Sequence, residues 1–157
     1  MVMRLRRTLV AALVMVAVAS VARSRSHQIE PEESPAALNV RRPVPAHVMS
    51  TLRHACFDCH SRETRWPWYA SLPIASMLIE RDVTAGRGQL DLSRWSEYNP
   101  FDRADLLDKM CRLASTGKMP PRPYRVMHSD ARLSAGDVAA LCSWSREEAT
   151  HLIEGDR

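Results

Sequence analysis

The chain has 157 residues, with 22 Lys+Arg against 18 Asp+Glu, four Cys, ten Pro and five Gly. That length suits one domain with a tail and excludes the large α/β barrels, and 45% hydrophobic with 25% charged residues excludes wholesale disorder. The formal charge of +4 invites a nucleic-acid partner only until the charges are located, and four Cys are too few for a disulfide scaffold of this length.

Residues 1–22 have the layout of an export signal or an N-terminal membrane anchor: Arg4, Arg6 and Arg7 precede an uncharged, mostly apolar run from Leu9 to Ala22. Two small-x-small sites, Ala17-Val18-Ala19 and Ser20-Val21-Ala22, suit a signal peptidase, and the run is short of the roughly 20 residues that span a bilayer. Arg23 and Arg25 directly after it oppose export, so cleaved signal and retained anchor both stay open. Either way the remainder is expected in the periplasm or another extracytoplasmic, oxidising space. Without Arg4, Arg6 and Arg7 the balance becomes 19 basic against 18 acidic residues, a net of +1. No basic run survives, and no nucleic-acid partner is expected. Residues 23–44, with Pro31, Pro35 and Pro43, read as a flexible Pro/Glu/Arg linker to a domain over 45–157.

No segment of that domain alternates at period two, whereas four show helical spacing, which predicts an all-α fold. Val48, Leu52 and Ala55 share a face over Pro45–Ala55. A second helix starts at Pro73, carries Ile74, Met77 and Leu78, and is expected to end at Gly86. A third follows Asn99-Pro100, with Leu106, Leu107, Met110, Leu113 and Ala114 as its stripe and Gly117 at the C-terminal cap. Ser134 and Asp137 resemble a capping box opening a fourth, whose stripe is Val138, Leu141, Cys142, Ser145, Ala149 and Leu152. Four helices with two Phe make a thin core, which a bulky internal cofactor would fill.

At the end of the first helix stands Cys56-Phe57-Asp58-Cys59-His60. Two thiols three positions apart can add to the two vinyl groups of one haem, and the next His then presents a ring nitrogen to the iron. A structural zinc site wants a second ligand pair at zinc spacing, a thioredoxin-like pair wants a βαβ context, and a plain disulfide does not require His60. One covalently attached haem c, with its iron on His60, is therefore the reading.

For the sixth iron position, Met119 in Gly117-Lys118-Met119-Pro120-Pro121 stands first, since a Pro-stiffened loop holds a weak thioether ligand at little entropic cost. Met127, His128 and an open position are the alternatives, while Met77 and Met110 read as packing residues. His54 is too near Cys56 to cross to the other face, and His27, His47 and His151 read as solvated. Trp66, Trp68 and Tyr69, stiffened by Pro67, can wall a macrocycle edge. Arg62 and Arg65 can pair with haem propionates or lie solvated, and Tyr124 and Arg125 are further candidates for that contact. Cys111 and Cys142 fall on or beside the stripes of the third and fourth helices, as a disulfide or as two buried thiols.

The run from Cys56 to Trp95, with CFDCHSRETRWPWY, DVTAGR and LSRW, resembles the small exported haem-binding domain family, as does MPPRPYRVMHSDARLS further on. The resemblance spans about Val48 to Trp144 and implies a cytochrome c-like fold and a periplasmic or membrane-tethered haem c carrier. The expected function is one-electron transfer by a monohaem c-type protein rather than catalysis. Its expected partners are redox proteins, soluble or membrane-associated, and the cytochrome c maturation machinery. A haem-based ligand sensor is the alternative, with a peroxidase-like enzyme behind it.

Overall fold

The structure, a computed structural model, describes residues 43–155 together with Arg6, Val10, Met15 and Leu38. The expected export segment, most of the linker and His27 lie outside the described residues. Two compact units are distinguished, one whose fully described part is Arg65–Asp82, the other made of Glu32–Thr64 and Val83–Arg157.

The first helix of the larger unit, α1 (Ala46–Ala55), buries Val48, Thr51, Leu52 and Ala55, the spacing of a single helical face. Cys56, at φ −124° and ψ −40°, breaks it, and a four-residue helix, α2 (Phe57–His60), follows. The C-x-x-C-H run thus straddles a break between two helices instead of closing one. Leu38 and Val44, at the end of the stretch expected as linker, are buried in the core.

In the smaller unit, Pro67 leads into a tight 3-10 turn, Trp68–Ser71, and then into α3 (Pro73–Gln89), which continues into the larger unit. Ser76 is buried, but Ile74, Met77 and Leu78 are exposed. The expected packing role of Met77 is therefore corrected: its apolar neighbours share a helix face that is open to solvent. α3 also runs past Gly86 to Gln89, for a reason that lies at the site.

Asp91 caps the next 3-10 stretch, Leu92–Glu97, by accepting from the Ser93 N–H at 3.0 Å, and Leu92 and Trp95 turn inward. Asn99 caps α4 (Pro100–Ser115) by accepting from the Asp102 N–H at 2.9 Å, with Pro100 in the first turn. α4 ends as expected at Gly117, whose φ of +65° only glycine adopts without strain. The Gly117 N–H reaches Ala114 O at 3.0 Å and the Lys118 N–H reaches Leu113 O at 3.0 Å, a Schellman closure. A short helix that periodicity does not reveal, α5 (Arg122–Met127), and a 3-10 turn, Ser129–Ala131, lead to α6 (Ala135–Glu154).

The capping box on α6 is present: Ser134 Oγ accepts from the Asp137 N–H at 3.1 Å, and Asp137 Oδ2 accepts from the Ser134 N–H at 2.8 Å. The Ser134 hydroxyl, which also donates to Asp137 Oδ2 at 2.7 Å, and then the Ser134 N–H hold the Asp137 carboxyl below its ordinary pKa. His47, expected to be merely solvated, pairs its Nε2 with Asp137 Oδ1 at 3.1 Å and ties α1 to the start of α6. The main packing is α4 on α6, with α1 also against α6. A disulfide between Cys111 and Cys142, with Cα atoms 4.8 Å apart, joins α4 to α6 and decides the pairing that the sequence leaves open. Leu52, Phe57, Leu92, Trp95, Leu107 and Leu141 centre the core. Among the described residues there is no strand, so the fold is all-α as expected, and no helix is long and apolar enough to cross a membrane.

Candidate functional site

Two residues of the motif, Cys56 at the helix break and His60 at the end of α2, line a cavity of about 210 Å³ within the larger unit. Cys56, His60 and Met119 all line it, and Leu90, Leu106, Leu113, Leu133 and Leu141 make most of the remaining wall apolar. Burial, and secondarily the charge of a neighbouring Cys59 thiolate, pushes the Cys56 thiol up to about 12, so it stays protonated at neutral pH. Cys59 stands one turn of chain away on α2 and does not itself line the cavity.

The orientation of His60 is set by its own hydrogen bond. Nδ1 lies 3.0 Å from the Leu90 carbonyl oxygen, which can only accept, so Nδ1 carries the proton and Nε2 keeps its lone pair. Burial lowers the His60 pKa from its ordinary 6.5, against the smaller raising effect of the Leu90 and Gly86 carbonyls. The ring is thus neutral and ligand-competent at neutral pH.

That bond requires the end of α3 to approach α2 closely. A Cβ at Gly86 would sit 2.5 Å from the Cys59 carbonyl oxygen and 3.2 Å from its carbonyl carbon. Gly86 therefore serves a close backbone approach and not a helix stop. The chain after the motif is clamped too: Arg87 donates from Nε to Ser61 O at 3.1 Å and from Nη2 to Thr64 Oγ1 at 3.1 Å. Thr64 Oγ1 donates in turn to Asp58 O at 2.8 Å, and the Arg62 N–H to Ser93 Oγ at 2.8 Å.

Met119 reaches the same cavity from the Schellman turn, where its own N–H shares Leu113 O with Lys118 at 3.1 Å. Its side chain is 37% exposed. Met110 lines the wall as well, from the buried stripe of α4 where packing was expected of it. The rivals do not line the cavity. Met127 is exposed, and the His128 ring stacks on Tyr124 with centroids 4.2 Å apart at 15°. The Tyr124 hydroxyl donates to Asp58 Oδ2 at 2.6 Å, tying α5 to a buried carboxylate inside the C-x-x-C-H run.

Of the residues expected around a macrocycle, Arg62 is exposed and is not part of the lining. Arg65, Trp66, Trp68 and Tyr69 belong to the smaller unit, where Trp68, 80% exposed, meets Tyr69 edge-on at 5.7 Å. Arg125 donates to Gly117 O at 3.4 Å, and its buried Nε has no hydrogen-bond partner.

Sequence reasoning missed Gly86, Leu90, the Asp58–Tyr124 bond, Gln89 and Lys109. Tyr124 stands 66 residues from Asp58, so no local pattern announces that pair. Lys109 did leave a trace, because it shares the face of Leu106, Met110 and Leu113 on α4.

An imidazole with its Nδ1 proton committed, a thioether facing the same apolar cavity and two adjacent thiols form a donor set that suits haem iron and haem vinyl groups. Among the described residues no cluster of three or more His, Cys, Asp or Glu could hold a metal ion by itself. A family model described as a haem-binding domain matches residues 11–147. No curated protein and no solved structure matches the chain.

Proposed function

This chain belongs to the haem-binding domain family, and from that premise we propose that it is a monohaem c-type cytochrome carrying single electrons outside the cytoplasm. In this reading Cys56 and Cys59 would hold the haem through thioether links to its two vinyl groups. His60 and Met119 would hold the iron. The bound haem supplies reversible one-electron chemistry at iron. The protein holds His60 by the Leu90 carbonyl, keeps water out with the leucine wall, and presents Met119 on a turn pinned to Leu113.

The observation that carries the reading is the His60 ring, whose second nitrogen is committed to a backbone carbonyl in the manner of metal-ligating histidines. A peroxidase-like role would need an acid–base group in the cavity, and its one candidate, His128, stacks on Tyr124 instead. An extracytoplasmic location is supported by the basic and apolar layout of residues 1–22 and by the Cys111–Cys142 disulfide. Redox proteins and the cytochrome c maturation machinery are the partners this reading calls for.

The test is to denature the purified protein, weigh it, and record spectra of both redox states with and without carbon monoxide. The expected result is haem retained on the denatured chain and slow carbon monoxide binding by the reduced protein. Met119→Ala is expected to open the iron to carbon monoxide and lower the potential, within the roughly 0.8 V range that axial ligands span. Haem lost on denaturation would overturn covalent attachment. Rapid carbon monoxide binding by the parental protein would replace electron transfer with ligand sensing.

A further inference from the structure

The cavity wall carries one side chain that ligation and packing leave unexplained. Lys109, on α4, lines the cavity beside Gln89, and its Nζ donates to Gln89 Oε1 at 2.9 Å. Lys109 makes no ion pair among the described residues, so its partner is a neutral amide that uses one of three ammonium donors. Gln89 is exposed and Lys109 half-buried, whereas Met110, Ala114 and Leu141 form the buried, apolar part of the lining. A cation placed there without a carboxylate partner is costly to desolvate further and is suited to receive an anion.

A haem has this division of chemistry: an apolar macrocycle and, on one edge, two carboxylates that must end in water or on a cation. We propose that Lys109, oriented by Gln89, is the propionate-binding residue of the site, in place of the exposed Arg62 and Arg65 that the sequence suggests. The proposal rests on the reading of this cavity as the haem site. Lys109 and His60 line the same cavity, so the ammonium lies within electrostatic reach of the ligand ring. An uncompensated carboxylate at that range favours Fe(III), and Lys109 offsets it. The ammonium thereby holds the potential up as well as fixing the macrocycle's rotation in the cavity.

The test uses the haem-loaded protein and its Lys109→Gln and Lys109→Arg variants. The readouts are reduction potential and the propionate bending band in resonance Raman spectra. The expected result is a lower potential and a shifted propionate band in Lys109→Gln, with both restored toward the parental values in Lys109→Arg. The axial-ligand spectrum is expected to stay constant throughout. A Lys109→Gln protein with parental potential and band would overturn the assignment, as would Lys109→Arg matching Lys109→Gln, which would mark a steric role. A change of axial-ligand spectrum in Lys109→Gln would also overturn it, by making Lys109 a ligand or a support for one. If the parental iron lacks His60 ligation, the site reading fails and the propionate assignment falls with it. That outcome appears in the parental spectrum before any variant is compared.

Discussion

His60 is held neutral by its surroundings, and this has a consequence for acid stability. Its pKa in the folded chain lies below the ordinary 6.5, because burial penalises the imidazolium more than the backbone carbonyls favour it. The unfolded chain therefore binds a proton at a pH where the folded chain does not. The stability that the neutral ring contributes is complete above 6.5 and is lost as pH falls through the lower folded-state value. Chain prepared without haem is expected to show a thermal midpoint that declines below pH 6.5, and His60→Gln to flatten that decline. An unchanged decline in His60→Gln would assign the acid limb to other groups. At this scale the C-x-x-C-H run and the Pro-flanked Met119 loop were legible as local patterns, and the structure brings Cys56, His60 and Met119 to one cavity. Lys109 was not, since its meaning depends on Gln89, 20 residues away, and on which side of α4 the cavity opens.

Gly86 is where an element was misread. By propensity Gly86 reads as a helix end, yet α3 continues to Gln89, and the missing side chain admits the Cys59 carbonyl. Gly86→Ala is expected to cost about 1–3 kcal/mol, as an overpacked backbone contact does, and to disturb the iron spectrum through the Leu90–His60 bond. Gly88→Ala is the paired control: nothing lies within 4 Å of its Cβ, so it is expected to gain roughly 0.5–1 kcal/mol of helix stability. Equal denaturation midpoints for the two variants would refute the close-approach account. The long helices were readable from their stripes and caps, as Asn99, Gly117 and the Ser134–Asp137 box demonstrate. α2, α5 and the 3-10 turns were not, because elements of three to six residues are too short to display a period. The face bearing Ile74, Met77 and Leu78 misled for another reason: helical spacing identifies an apolar face but not whether anything covers it.

For the whole molecule, the disulfide compensates for the thin core. It closes a loop with a sequence separation of 31 between the two helices that pack most extensively. Loop-closure entropy for that length gives about 3–4 kcal/mol of stabilisation. A Cys111→Ala/Cys142→Ala double variant is expected to unfold at correspondingly lower denaturant, and alkylation without reduction should leave both parental residues unmodified. Two alkylated cysteines at these positions in the parental protein would overturn the pairing. The all-α class was readable because no period-two segment exists, whereas the contact between α4 and α6 that brings Cys111 to Cys142 depends on tertiary packing.

The same bond bears on how the chain is sorted before it works. Four cysteines can be joined two by two in three ways, and any exchange linking α4 or α6 to the C-x-x-C-H run would consume a thiol that the proposed haem attachment calls for. With Cys111 and Cys142 bonded to each other, Cys56 and Cys59 are the two thiols that remain. Cys56 is protonated, the form least prone to exchange. On the covalent-haem reading proposed above, docking of two helices remote from the motif in sequence would thus keep both motif thiols available for the cofactor.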